Sequence, residues 1–292
     1  MTENMAGRYD ANVGFSPYYV SLGFQFGSFI FKNKIFFGLL ISPVEDLGFV
    51  TFDVPNWRLY NGLGKGRFSS VFSCRSLQTN EVVVLKVFRG NMAHMAVTER
   101  TVLTSLSTRS VINIPSFREI HICDNFSALI LTPVGVPVLP CPIHAVVTPS
   151  MCVALLQVVR TAHSLDWIHR DIKPDNIYLD QGDTSRIVLS DWSSAVRANV
   201  ECDYVGTRLF GDGPDDANNN KHTPDQCLDL RSLVKTVFCM TTQRIPAVED
   251  NDAAVRHHWI GVKQQFPGFR KAMDLADNAK YDELVEVLMN VW

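Results

Sequence analysis

Through the first 55 residues, short apolar runs alternate with breakers: Ser28 to Phe31, Ile35 to Ile41 and Phe49 to Val54 are separated by Asn-Lys, Ser-Pro and glycine. Runs of this length bounded by turn residues predict short strands and hairpins rather than helices. From Asn56 the texture changes. Trp57 to Tyr60, Phe68 to Cys74 and Glu81 to Phe88 read as strands, separated by glycines and by the polar stretch Arg75 to Asn80. Met92 to Leu106 then takes helical spacing, with Met95, Thr98, Val102 and Leu106 near one stripe. Ile120 to Cys123 and Ala128 to Leu131 predict two more short strands, and Pro133 to Pro142 reads as proline-rich connecting chain. Pro149-Ser150 opens an amphipathic helix with Leu155, Val158, Val159 and Ala162 on one face, and helical patterning dominates beyond it. The order predicts an α+β fold in two parts, a small β-rich half with one helix and a mainly helical half.

Composition narrows the class without naming a chemistry. With 46% hydrophobic and 20% charged residues in 292, the chain can bury a large core, and it fits neither a disordered nor a disulfide-scaffold class. A net charge of −3 gives no basic excess to release counterions from a nucleic-acid backbone. The cysteines at 74, 123, 141, 152, 202, 227 and 239 are odd in number and scattered, with no Cys-x-x-Cys pair, which predicts a reducing compartment and buried free thiols. The histidines show no HExxH spacing, so no metal site built from protein ligands alone is expected. The most apolar stretch, Phe29 to Ile41, is broken by Lys32, Asn33 and Lys34, too soon to cross a bilayer, and Met1 to Asp10 lacks the basic start and apolar core of a signal peptide.

The chemistry lies after the second predicted helix, in His169-Arg170-Asp171-Ile172-Lys173-Pro174-Asp175-Asn176. Six of its positions match H-R-D-x-K-P-x-N, a string whose chance occurrence in a chain of this size is on the order of one in a hundred thousand. Phosphoryl transfer needs a carboxylate to orient an acceptor hydroxyl, a cation to offset phosphate charge and a side-chain oxygen to hold Mg²⁺, and Asp171, Lys173 and Asn176 supply these types. Upstream, Gly64-Lys65-Gly66-Arg67-Phe68-Ser69-Ser70-Val71 follows G-x-G-x-x-G-x-V with Ser69 in the third glycine's place, between two predicted strands. Backbone N–H groups at Gly64 and Gly66 could approach phosphate oxygens closely, with Val71 over a base. Val83-Val84-Leu85-Lys86 follows V-A-I-K, and Glu99, thirteen residues on in the predicted helix, is the acid suited to hold the Lys86 ammonium. Downstream, Asp191-Trp192-Ser193 stands fifteen residues after Asn176 in the place of D-F-G; losing the glycine predicts a segment biased to one conformation. Gly206-Thr207 and Asp229-Leu230-Arg231-Ser232 follow G-T-x-x-Y and D-x-W-S, while A-P-E is absent unless Gly213-Pro214-Asp215 stands for it with one extra residue.

Together these stretches resemble a eukaryotic-type protein kinase of the serine/threonine branch, compact and divergent, similar in texture to the kinase domains with strand-rich N-terminal extensions found in Crinkler-type effectors. The resemblance implies a two-lobed kinase fold over 56–292, with an N-lobe at about 56–135 and a C-lobe at about 136–292, and a strand-rich extension of unassigned role over 1–55. It implies ATP and Mg²⁺ as cofactors, a protein substrate, and transfer of the γ-phosphoryl group to Ser or Thr inside the cell. Asp171 and Lys173 would be catalytic. Gly64, Gly66, Val71, Lys86 and Glu99 would serve nucleotide binding, and Asn176 and Asp191 would hold metal. Thr207 would bond Asp171 and Lys173, and Asp229 would anchor the backbone of the loop. Two alternatives stay open: a pseudokinase scaffold, favoured by Ser69, Trp192, Ser193 and the degraded A-P-E, and a small-molecule kinase of the aminoglycoside type. Val84 and Tyr178 add bulk where a small residue and an aliphatic one usually line the adenine pocket, which predicts weak nucleotide affinity. Between Ala195 and Val205 the one hydroxyl is Tyr204, and Glu201 or Asp203 is expected to pair with Arg170 in place of a phosphorylated residue.

Overall fold

A computed structural model describes residues 25–31, 34–40, 50–52, 57–124, 126–139, 147–212, 221–248 and 251–290. The chain divides into two compact units, Met1–Trp57 and Arg58–Trp292. In the first, β1 (Gln25–Phe31), β2 (Lys34–Leu40) and β3 (Val50–Phe52) form an antiparallel sheet in that order. The register sets Phe29 opposite Phe36 and Ile30 opposite Ile35.

The second unit begins within β4 (Trp57–Lys65), at Arg58, holds β5 (Ser69–Ser76) and β6 (Val82–Arg89), continues through α1 (Ala93–Ser107), and adds β7 (Ser116–Cys123) and β8 (Phe126–Thr132). These strands make a five-stranded sheet in the order β4-β5-β6-β8-β7. β6 is central and buried continuously from Val83 to Phe88, so its apolar run is not alternating. β7 extends four residues upstream of its predicted start because it is an edge strand of partly exposed residues, Arg118 and Glu119 among them, which carries no apolar run to read. Helix α1 turns Met95, Ala96, Val102, Leu103 and Leu106 inward, and Glu99 lies on the same buried stripe. A carboxylate there demands a partner.

The helical half follows β9 (Gly135–Pro137), a short strand within the stretch expected to be connecting chain. α2 (Pro149–Ser164) starts as its sequence predicts, with Pro149 in the first turn and the Thr148 hydroxyl accepting from the Met151 N–H. Five short strands come next: β10 (Trp167–Ile168), β11 (Ile177–Asp180), β12 (Ile187–Leu189), β13 (Val196–Arg197) and β14 (Cys202–Asp203). β15 (Lys221–His222) then pairs with β14, and β12-β11-β9 form a small sheet. α3 (Gln226–Thr242), α4 (Asp252–Gln265), α5 (Pro267–Ala276) and α6 (Tyr281–Met289) complete the unit. α3 is buried on nearly every side and is the pillar of this half, with Phe238 against Trp259 and Phe269. The result is the two-part α+β architecture expected, a curled sheet with one helix and a helical body. Among the described residues no helix is long and apolar enough to cross a membrane.

Candidate active site

Lys86 projects from the central strand β6 and is only 4% exposed. Its ammonium donates to Glu99 Oε2 at 2.7 Å and to Asp191 Oδ1 at 2.6 Å, so one buried cation joins β6, α1 and the turn after β12. Burial opposes the charge on Lys86, but the two carboxylates outweigh it and raise its pKa. Burial also raises Glu99. For Asp191 burial works upward too, yet the Lys86 charge and the hydrogen bonds from Lys86 and Ser193 prevail, holding the carboxyl well below the usual carboxylate range.

Asp191 takes a left-handed backbone, φ 62° and ψ 62°, that non-glycine residues adopt at some cost. Three contacts hold it there. The Ser193 hydroxyl donates to Asp191 Oδ1 at 2.6 Å, and Trp192, fully buried, donates its indole N–H to the Leu189 carbonyl while its ring lies 4.5 Å from that of His169. The two residues that depart from D-F-G thus bond the segment to itself and to the catalytic loop.

Asp171 stands at the end of a loop fixed from behind. Buried Asp229 on α3 accepts the backbone N–H of His169 at 2.7 Å and of Arg170 at 2.8 Å, and it faces His163 Nε2 at 3.0 Å. Burial raises its carboxyl, but these partners lower it more. In front, Asp171 Oδ1 accepts the Thr207 N–H and hydroxyl at 3.0 and 2.7 Å, while Oδ2 meets Lys173 Nζ at 2.8 Å and Asn176 Nδ2 at 3.2 Å. Lys173 also donates to Thr207 Oγ1 at 2.8 Å. Gly206 precedes this threonine because a Cβ there would lie 2.7 Å from the Arg170 carbonyl oxygen.

The remaining expected residues fall around this centre. Gly64 is the next-to-last residue of β4 and Gly66 opens the turn to β5, where its N–H donates to the Ser69 carbonyl at 2.9 Å; both are exposed, and nothing lies within 4 Å of a Cβ at Gly64. Val71 is paired with Lys86 across β5 and β6, and Val84 is buried beside it on β6. Tyr178 on β11 covers Gly135, whose Cβ would enter the Tyr178 ring, and its hydroxyl approaches the Pro133 carbonyl at 3.4 Å.

A nucleotide phosphate with Mg²⁺ fits the donor set. Asp191 Oδ2 and Asn176 Oδ1 have no hydrogen-bond partner among the described residues, and oxygens of this kind suit a hard cation that completes its shell with phosphate and water. The open space at Gly64 leaves the approach to the backbone clear. When bound, such a group would supply the transferable phosphoryl and the charge that neutralises it.

One expectation is corrected. Arg170 pairs with neither Glu201 nor the Asp203 side chain. It donates from Nε to the Ser194 carbonyl at 2.6 Å and from Nη1 to the Cys202 sulfur at 3.1 Å and the Asp203 carbonyl at 2.9 Å. The Asp203 carboxylate instead points outward to Lys221 at 3.2 Å, because alternation along β14 places Cys202 and Asp203 on opposite faces. Gly213-Pro214-Asp215, considered for the A-P-E position, lies outside the described residues. The carboxylate that ties the segment down is Asp212, which takes Lys235 Nζ at 2.8 Å and Arg231 Nε from α3. Lys235 inside the apolar run of α3 was the signal available for it: a cation only 3% exposed implies a partner.

The protein kinase domain family matches residues 57–282, and the chain belongs to that family. Among curated relatives, a cyclin-dependent kinase-like 1 protein of Caenorhabditis elegans is 26% identical over 51% of this chain and 44% of its own length. Casein kinase II subunit alpha' of Saccharomyces cerevisiae is 28% identical over 62% of this chain and 54% of its own. The chain thus spans about half the length of these relatives. The solved structure of vaccinia related kinase 3 shares the fold at a TM-score of 0.60 and 15% identity, over 80% of this chain and 86% of that one.

Proposed function

We propose that the 56–292 domain is an active protein kinase that transfers the γ-phosphoryl group of ATP, with Mg²⁺, to Ser or Thr hydroxyls of protein substrates in a reducing intracellular setting. The observation that carries this reading is the Lys86 ammonium bonded at once to Glu99 and Asp191, which supports Lys86 as the cation that would grip the nucleotide phosphates and Asp191 as the carboxylate that would hold metal. Asp171 would orient the acceptor hydroxyl, with Lys173 offsetting charge on the transferring group and Asn176 and Asp191 holding Mg²⁺. Gly64 and Gly66 would lie over the phosphates, and Val71 over the base. Thr207, bonded to both Asp171 and Lys173, supports a Ser/Thr preference.

The test is phosphotransfer to a generic protein substrate in Mg²⁺-ATP, wild type against Asp171→Ala and Lys86→Met. Each substitution should lower the rate by about a hundredfold or more. Nucleotide binding by wild type with no transfer to any acceptor would replace this reading with a scaffold.

A further inference from the structure

Behind the catalytic loop a chain of hydrogen bonds runs from Asp229 away from the site and ends on α6. The Asp229 carboxylate accepts from every partner, so His163, 3.0 Å away, presents an N–H from Nε2. His163 lies in the last turn of α2 and is 3% exposed. Its other ring nitrogen, Nδ1, stands 2.5 Å from the hydroxyl of Tyr281, the first residue of α6. Tyr281 Oη also reaches Gln226 Oε1, at the start of α3, at 3.1 Å. Burial first, and then the Asp229 charge, raise the Tyr281 pKa above its ordinary value, so the hydroxyl keeps its proton.

An imidazole with its proton on Nε2 donates to Asp229, whereas one with its proton on Nδ1 turns a lone pair on a buried carboxylate. The contact made by the second nitrogen selects between them. Tyr281 gives its proton to the lone pair of a neutral ring and a lone pair to the N–H of a charged one, and in both cases Nε2–H stays toward Asp229. Gln226 completes either arrangement, since its amide offers an acceptor and, turned over, a donor. The Tyr281 ring is itself held by α2, with the Arg160 guanidinium 5.5 Å from its centroid and paired with Asp282 at 2.6 Å. Tyr281 is 118 residues from His163, which is 66 from Asp229, whose oxygens hold the backbone N–H groups of the two residues before Asp171.

We propose that Tyr281 is a positioning residue for the catalytic loop, its hydroxyl fixing the His163 ring that steadies Asp229 and, through Asp229, the backbone that presents Asp171. The tie from α6 to the loop stands on the hydrogen bonds alone, while its effect on phosphoryl transfer rests on the kinase reading. Tyr281→Phe keeps the ring and its packing and removes one oxygen, leaving His163 Nδ1 without that partner in a buried place.

The full chain is tested in two arms. Hydrogen exchange followed by NMR should run about tenfold faster in Tyr281→Phe than in wild type at His163 Nε2–H and at the His169 and Arg170 backbone N–H groups, with the Val87 and Phe88 N–H groups of β6 unchanged. Phosphotransfer should lose about fivefold to tenfold in kcat with KM for ATP within about twofold, because Lys86 is no part of this chain of bonds. In a His163→Gln background, where the amide donor has no tautomer to choose, Tyr281→Phe should cost less than about twofold. Loop N–H groups that exchange as in wild type would overturn the proposal, as would β6 speeding up to the same extent, a loss carried wholly by KM, or an equal loss with and without His163. If wild type transfers no phosphate, the kinase reading fails, and the exchange arm still decides the tie between Tyr281 and the loop.

Discussion

The Ser193 hydroxyl lies 2.6 Å from Asp191 Oδ1, two residues back along a left-handed turn, and so a side chain standing where a glycine is usual braces the carboxylate proposed to hold metal. Ser193→Gly removes a hydrogen bond to a charged group and frees the backbone of the turn. It should lower the stability of the second unit by about 1–2 kcal/mol, read as a shift in the urea midpoint. A variant with the midpoint of wild type would mean that the packing of Trp192 alone holds the segment.

Lys86 carries structural as well as proposed catalytic weight. Lys86→Met leaves the buried carboxylate of Glu99 without a cation and should cost about 3–5 kcal/mol. Adding Glu99→Leu should recover much of that loss without restoring phosphotransfer. Equilibrium denaturation of the two variants separates the roles; a double variant as unstable as the single one would count against the charge argument.

Asp229→Asn keeps shape but changes acceptors. The carboxylate serves three donors, and an amide would turn N–H groups toward at least one of them in a site that is 1% exposed. Stability should fall by about 2–4 kcal/mol and phosphotransfer should fall further than stability alone explains, because the His169–Arg170 backbone loses its anchor. Calorimetry alongside the rate assay measures both.

Tyr178 fills the space over Gly135, and Val84 is buried on β6. Tyr178→Leu and Val84→Ala should each tighten ATP binding several-fold, about 1 kcal/mol, if bulk limits the proposed pocket. Isothermal titration decides; affinity already ordinary and unmoved by either change would reject the crowding.

Acidification should weaken the fold through histidine. Burial and then the Arg170 charge hold the His222 imidazole below its ordinary value of 6.5, and burial does the same to His258. The unfolded chain therefore takes up protons first. The contribution of these residues is intact above pH 6.5 and is lost as pH falls through that value toward the lower folded ones. The melting temperature should drop across this window, and His222→Gln with His258→Gln should flatten the drop.

Much of the site was legible before the fold was known because its chemistry is written locally. Asp171, Lys173 and Asn176 lie within six residues of one another, and the hydrophobic period before them places the loop after a helix. The Lys86–Glu99 partnership was legible because Val83-Val84-Leu85-Lys86 follows V-A-I-K and Glu99 lies thirteen residues on in the predicted helix.

The partners of Arg170, Asp212 and Lys235 were not legible in this way. Residues 24 to 33 positions apart meet at Arg170, and which face of β14 turns inward decides between the Cys202 sulfur and a carboxylate one residue away. Local pattern cannot set that parity in a strand of two residues, since a one-residue slip exchanges the faces. Thus the sequence alone determined the class of chemistry and the residue types that perform it, through spacing that survives in any correct fold. Only the tertiary structure decided how the buried charges are balanced, because charge balance depends on distances between segments that the linear pattern does not encode.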